Sequence, residues 1–183
     1  RGSVVASWLL VACHSGPAAS APAAHPSGQP APPSARQQLA PAFSIEDLRA
    51  GLKTGRRLDF RVTAPESRPS VSVLFFGVAD SQGIDITVTT LDETGHAAGE
   101  ERTRAKWAEL SERTAFPAAA SEIGDELLTI EAGKYPTRRY VVRDGATTST
   151  YWFARSVAGI PVCTTVEREG RLIERRELFR EIL

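Results

Sequence analysis

The chain has 183 residues, 42% of them hydrophobic, and its 22 cationic side chains balance 22 acidic ones. That length allows one domain plus appendages, and the zero net charge lacks the electrostatic footprint of a nucleic-acid binder or of a protein held to an anionic membrane by charge. Lysine is confined to Lys53, Lys106 and Lys134 and methionine is absent, so the natural start is expected upstream of Arg1 or at an alternative start codon.

Arg1 and the apolar run from Val4 to Ala12 follow the order of a secretory signal, positive then apolar then small. The run is far shorter than the ~18 residues needed to span a bilayer. It leads directly into a polar, Pro-rich segment with nothing to pack against, which argues against a buried helix. It closes on Leu10-Val11-Ala12-Cys13, a leucine, a small residue and a cysteine at the spacing of a cleavage site. This stretch resembles the lipobox of bacterial lipoprotein signals. The resemblance implies that residues 1–12 are a signal peptide, that Cys13 is acylated after cleavage, and that a lipid anchor holds the protein to a membrane of the cell envelope. In that family an Asp after the cysteine favours the inner membrane. Here His14 follows, which implies the outer membrane with the domain in the periplasm. Acylation of Cys13 would leave Cys163 without a disulfide partner, and its expected role is a small buried hydrophobe on a strand.

Residues 13–42 hold Pro17, Pro22, Pro26, Pro30, Pro32, Pro33 and Pro41 among Ala, Ser and Gly, with no apolar periodicity. Such a segment buries too little surface to offset its ordering entropy. It reads as a disordered tether, extending about 3 Å per residue where it is polyproline-like. His14 and His25 are isolated within it and make no metal site.

The domain is expected over residues 43–183. Ser44 with Asp47 three residues on forms a capping pattern, and Ile45, Leu48 and Leu52 follow helical spacing, predicting a helix over Ile45 to Lys53. The period then changes to two. Leu58, Phe60 and Val62 predict a half-buried strand, Pro65 and Pro69 bracket a loop, and Val71 to Val78, apolar on both sides, predicts a central strand or one covered on both faces. Ile84, Ile86 and Val88 predict the next strand, Asp92-Glu93-Thr94-Gly95 a turn, and Gly99 to Arg104 a weaker strand. Trp107, Leu110 and Thr114 predict a second short helix within Lys106 to Ala115, ended by Pro117. Leu128 and Ile130 open another strand. Tyr135 to Arg143 and Thr147 to Ala154, joined by Asp144-Gly145, form the clearest hairpin. Val162 to Val166 follows the turn Gly159-Ile160-Pro161. After Glu169-Gly170, Leu172 to Ile182 is expected as an edge strand guarded by its charges, with a helix as the lesser alternative. The sum is a mainly β (α+β) domain: a curled antiparallel meander or half-open barrel with two short helices.

No G-x-S-x-G elbow, phosphate-binding glycine loop or metal-ligand cluster occurs. His96 stands alone in a turn. Glu100 with Glu101 and Asp125 with Glu126 are adjacent acids, which a strand sends to opposite faces, not across a cleft. Neither catalytic residues nor a cofactor are therefore expected. The candidate ligand-binding residues are aromatic: Trp107, Tyr140, Tyr151, Trp152 and Phe153, which could line a curled sheet or form its core. Arg138, Arg139 and Arg143 offer a basic face, although strand alternation divides them.

The run Ala132-Gly133-Lys134-Tyr135, the strand Tyr151-Trp152-Phe153-Ala154 and Ile160-Pro161-Val162, following two helices and a meander, resemble the half-barrel domains of bacterial envelope lipoproteins of the lipoprotein-localisation-factor type. That resemblance implies a curved sheet and helix lid that hold acyl chains. The expected protein is a lipid-anchored, non-enzymatic envelope protein whose ligand is an acyl chain or another apolar molecule. The alternative is a structural or protein-interaction module that uses its sheet edge or Arg-rich face and has no small-molecule ligand.

Overall fold

The computed structural model describes residues 37–183. Within them Ile45–Gly51 forms helix α1, and four strands follow: β1 (Arg57–Ala64), β2 (Ser67–Ala79), β3 (Gly83–Leu91) and β4 (Ala97–Lys106). Helix α2 (Trp107–Glu112) leads to five more: β5 (Ser121–Ile130), β6 (Gly133–Asp144), β7 (Thr147–Ala154), β8 (Cys163–Arg168) and β9 (Arg171–Ile182). All nine pair antiparallel in one unclosed sheet of order β4-β3-β2-β1-β9-β8-β7-β6-β5. This is the mainly β meander with two short helices that periodicity predicts.

The connectivity forces curvature. The first meander runs outward to edge strand β4, and the chain must then reach the opposite edge, β5. Nine flat strands would set those edges about 38 Å apart. The segment from Trp107 to Ala120 contains a six-residue helix and can reach at most about 36 Å. A flat sheet would stretch this connection to about its full length, so the curled sheet, a half-open barrel with α2 laid across one face, is what leaves it relaxed.

Local chemistry sets the elements. Ser44 Oγ accepts from the Asp47 amide at 3.1 Å and the Asp47 carboxylate accepts from the Ser44 amide at 3.0 Å, a complete capping box on α1. Leu48 and Leu52 are buried with Leu58, Phe60, Phe76, Ile84, Ile86 and Leu178, each such side chain contributing about 2 kcal/mol on burial. Gly159 lets α1 approach. Its φ of +87° favours glycine, and a Cβ there would lie 2.8 Å from Leu48 Cδ2. The chain is held to the domain even before Phe43. Gln38 bridges to Pro117, the Leu39 amide donates to Phe116 O at 2.8 Å, and the Ala42 amide donates to Thr114 Oγ1 at 3.0 Å.

Several expectations need correction. β9 is no edge strand; it lies at the centre of the sheet, between β1 and β8. Four of its seven charges are matched in ion pairs: Arg175 with Glu177, Arg180 with the buried Asp59, and Glu181 with the buried Arg56. β2 lies inside the sheet between β1 and β3, as a central strand should; both its faces are buried at Val73 and Leu74, but the face opposite the helices opens at Phe75 and Val78, 42% and 64% exposed. Pro69 lies inside β2, not in a loop. It precedes Val71, where pairing with β3 begins, so its missing N–H is not needed by that ladder. β5 starts at Ser121, well before Leu128, in a stretch of Gly and acids with no alternating apolar signal. The true edges are β4 and β5.

Candidate functional site

The helix-bearing face can be followed across the sheet by register. One row runs Ser70, Val62, Arg176, Thr164, Tyr151, Tyr140, Ile123, each paired with the next. The adjacent row runs Glu174, Val166, Ser149, Val142, Ser121. On the other side of the first row Phe60 pairs with Leu178 and begins the core beneath α1 and α2. Burial falls across these rows: Phe60 and Leu178 are fully buried, whereas Val62, Ser70, Ser149, Val166, Glu174 and Arg176 are only half-buried. The face therefore has an end filled by the helices and an end built of mixed apolar and charged side chains that neither helix fills.

The aromatic candidates divide accordingly. Trp107 starts α2, is 3% exposed and donates through Nε1 to the Asp80 carbonyl at 2.8 Å, so it pins the helix to the β2–β3 turn. Tyr140, Tyr151 and Phe153 share the helix-bearing face. They pack ring against ring with Phe116, whose centroid is 5.1 Å from Tyr140 and 5.0 Å from Tyr151, and with Phe43, 5.7 Å from Phe153. Burial raises the hydroxyl pKa of Tyr140 and of Tyr151. Trp152 points to the opposite face and donates from Nε1 to Glu126 Oε1 at 2.5 Å. The sheet thus separates Trp152 from its sequence neighbours, and the three rings that do meet form a cluster with Phe43 and Phe116. Phe116 lies in an irregular segment without periodicity. Phe43 carries a usable signal, since it precedes the cap Ser44 while Leu48 takes the fourth helical position, the spacing of a hydrophobic staple.

The basic candidates are paired with edge strand β5: Arg138 with Asp125 at 3.1 Å, Arg139 with Glu126 at 3.3 Å and Arg143 with Glu122 at 2.7 Å. His96 sits in its turn, its amide donating to Asp92 Oδ1 at 3.0 Å and its Nδ1 2.7 Å from Thr94 Oγ1. Cys163 is a buried free thiol pushed up to about 11 by burial. The unreactive neutral form therefore dominates at physiological pH. Cys13, the signal and residues 13–36 of the expected tether lie outside the described residues, whereas the last stretch of that tether, from Gln38 to Ala42, is ordered against the domain by its bonds to Pro117, Phe116 and Thr114. Among the described residues no cluster of His, Cys, Asp and Glu is placed to hold a metal ion, and no helix is long and apolar enough to cross a membrane.

Arg176 was not singled out by sequence reasoning. Its guanidinium carbon lies 4.1 Å over the Phe60 ring, and its Nε and Nη2 are shielded with no hydrogen-bond partner among the described residues. Burial lowers its pKa to about 10, opposed in part by Glu174. Glu174, on the same face, is itself shifted upward by burial, with Arg176 pulling the other way. On the opposite face, Phe75, Val78, Asp85, Thr87 and Arg104 line an open groove of about 470 Å³ along β2–β4, where Arg104 is paired with Asp80 and Asp85.

No protein-family model matches the chain, and no curated protein matches it in sequence. Solved structures do match in fold. MucB in complex with MucA(peri) superposes with a TM-score of 0.52 at 18% identity, over 75% of this chain and 53% of that one. The Pseudomonas aeruginosa MucA/MucB complex gives 0.52 at 16% identity, over 75% and 56%. A Bacteroides fragilis protein described as exported, with a YmcC-like fold, gives 0.47 at 9% identity, over 72% and 97%. The chain spans about half the length of the MucB chains it matches.

Proposed function

We propose that this protein is a lipid-anchored protein-interaction module of the cell envelope, non-enzymatic, which receives a partner protein on the unfilled end of its helix-bearing face. The observation that carries this reading is the pair of rows around Arg176 and Glu174. They combine half-buried Val62, Val166, Ser149 and Ser70 with two charges that neither helix neutralises. Such a mixed, partly dehydrated surface is the composition of an interaction patch. MucB shares the fold and was solved with MucA(peri) bound, which supports a protein as the occupant. An acyl-chain ligand has less support, because Tyr140, Tyr151 and Phe153 are engaged with Phe116 and Phe43 instead of lining an open apolar space. Location in the periplasm and anchoring at the outer membrane through Cys13 belong to the same proposal and rest on the lipobox and His14.

The test is a photo-crosslinking residue placed at Val166 in the full chain in cells, with Thr87 on the opposite face as control. A protein adduct at Val166 in clear excess over Thr87 is expected. Equal labelling at the two positions would overturn the assignment of the face, and a lipid adduct at Val166 would restore the apolar-ligand reading.

A further inference from the structure

We propose that the partner protein enters as an extended segment added to edge strand β5, with a basic side chain between two apolar ones on the face that meets Ile123, Asp125 and Leu127; this rests on the protein-interaction reading above. Ile123 and Leu127 are 50% and 64% exposed, and by strand alternation they stand with Asp125 on the helix-bearing face. Ile123 ends the row that runs through Thr164, Tyr151 and Tyr140, so this edge is continuous with the unfilled end of that face. Among the described residues nothing pairs with the outer side of β5, which leaves its outward N–H and C=O groups open to a further strand.

The two edges of the sheet differ in how they are guarded. β4 carries Glu100, Glu101, Arg102, Arg104 and Lys106 and no large apolar side chain, and its register with β3 breaks between Thr90 and Leu91. Charge and irregularity are what blunt an edge. β5 has neither Lys nor Pro, and its register with β6 is unbroken from Ser121 to Ile130. Its acids Glu122, Asp125 and Glu126 are drawn inward to Arg143, Arg138 and Arg139 of β6.

The chemistry of the occupant follows from the same strand. All three charges of β5 are negative, and across a strand pair opposite charges stabilise whereas like charges oppose. On its inner side β5 already meets a fitting pattern, with Tyr140 opposite Ile123, Arg138 opposite Asp125 and Pro136 opposite Leu127. The β5 edge of a second copy does not fit, since antiparallel pairing of Ile123 with Leu127 brings Asp125 against Asp125. Residues 13–36 of the chain hold no Lys or Arg before Arg36 and are rich in proline, which cannot donate to a ladder. A segment of another protein that alternates apolar, basic and apolar side chains on one face satisfies the edge and the charge together.

The experiment uses the full chain in cells, with the photo-crosslinking residue placed at Thr129 on β5, at Glu101 on β4 as control, and at Val166. The expected result is that Thr129 and Val166 capture the same protein and Glu101 captures little of it. The peptide joined to Thr129 should carry Lys or Arg with an apolar residue two positions to each side. Two substitutions at exposed side chains follow. Leu127→Lys installs the guard that β5 lacks, and Asp125→Lys reverses the central charge. The Thr129 adduct should fall about tenfold in the first and about threefold in the second, while both variants melt within about 5 °C of the parent. A larger fall in melting temperature in both would mark these side chains as structural and overturn the assignment. It is equally overturned by equal labelling from Glu101, by no adduct at Thr129, by an adduct with a second copy or with residues 13–36, by a captured peptide without the expected pattern, or by a yield undiminished in either variant. In each of these cases a protein adduct at Val166 leaves the protein-interaction reading standing. Absence of any protein adduct at Val166 removes that reading and the proposal with it.

Discussion

Two residues show how burial decides what a side chain does here. Asp59 is fully buried on the face opposite the helices and is held by Arg57 and Arg180. Replacing Asp59 with Ala leaves two cations facing each other without their shared acceptor. Because both arginines keep contact with solvent, the expected loss is about 2 kcal/mol, below that of a fully buried pair, read from urea unfolding. Cys163 presents the opposite case, since its thiol makes no pair and is pushed up to about 11 by burial. It should resist a thiol reagent at pH 8 in the native protein and react completely once the protein is denatured. Rapid native labelling would show that β8 opens readily. The sequence alone indicated a buried Cys163 from its place in an alternating strand. It could not indicate Arg176, because an arginine among the seven charges of β9 looks solvated until the partners of its neighbours are known.

At the scale of the element, α1 and β9 lie at opposite limits of legibility. The capping box of α1 is written in Ser44 and Asp47, and both reciprocal bonds form. Ser44→Ala should cost about 1 kcal/mol at pH 7. Bonds from the Ser44 side chain and amide hold the Asp47 carboxyl below its ordinary range. A lowered folded pKa stabilises above the unfolded value near 3.8 and is lost as pH falls through the folded value. The difference between parent and Ser44→Ala in denaturant titrations should therefore shrink below about pH 4; a gap constant down to pH 2 would show that Asp47 contributes nothing. β9 carries an ambiguous local signal, strand with helix as the lesser alternative, and no signal of its position. Its charges look like edge protection, yet they answer Asp59 and Arg56 on the first half of the chain. Central placement predicts that Leu178→Ala costs about 3 kcal/mol. Amide hydrogens of β9 should also exchange far more slowly than those of the outer edges of β4 and β5, as read by mass spectrometry.

At the scale of the whole molecule, the proposed lipid anchor can be tested apart from the fold. If Cys13 is the lipidated residue, Cys13→Ser should abolish incorporation of a labelled fatty acid and release the protein from membranes. Retention on membranes without label would point to an uncleaved N-terminal anchor. Much of the architecture was legible locally. The period-two pattern of Leu58-Phe60-Val62, the Asp144-Gly145 turn and the helical spacing of Leu48 and Leu52 each depend on neighbouring residues alone, so the β-rich class, the two helices and most turns follow from the sequence. The order of strands does not, because β1 meets β9 only after the chain has crossed from one sheet edge to the other through α2. That long-range closure put the charged strand in the centre, sent Trp152 away from Tyr140, Tyr151 and Phe153, and brought Phe43 and Phe116 against them. It also left Arg176 over Phe60 with no acid opposite. Periodicity states which side of a strand is apolar; only the tertiary pairing decides which charges find each other and which do not.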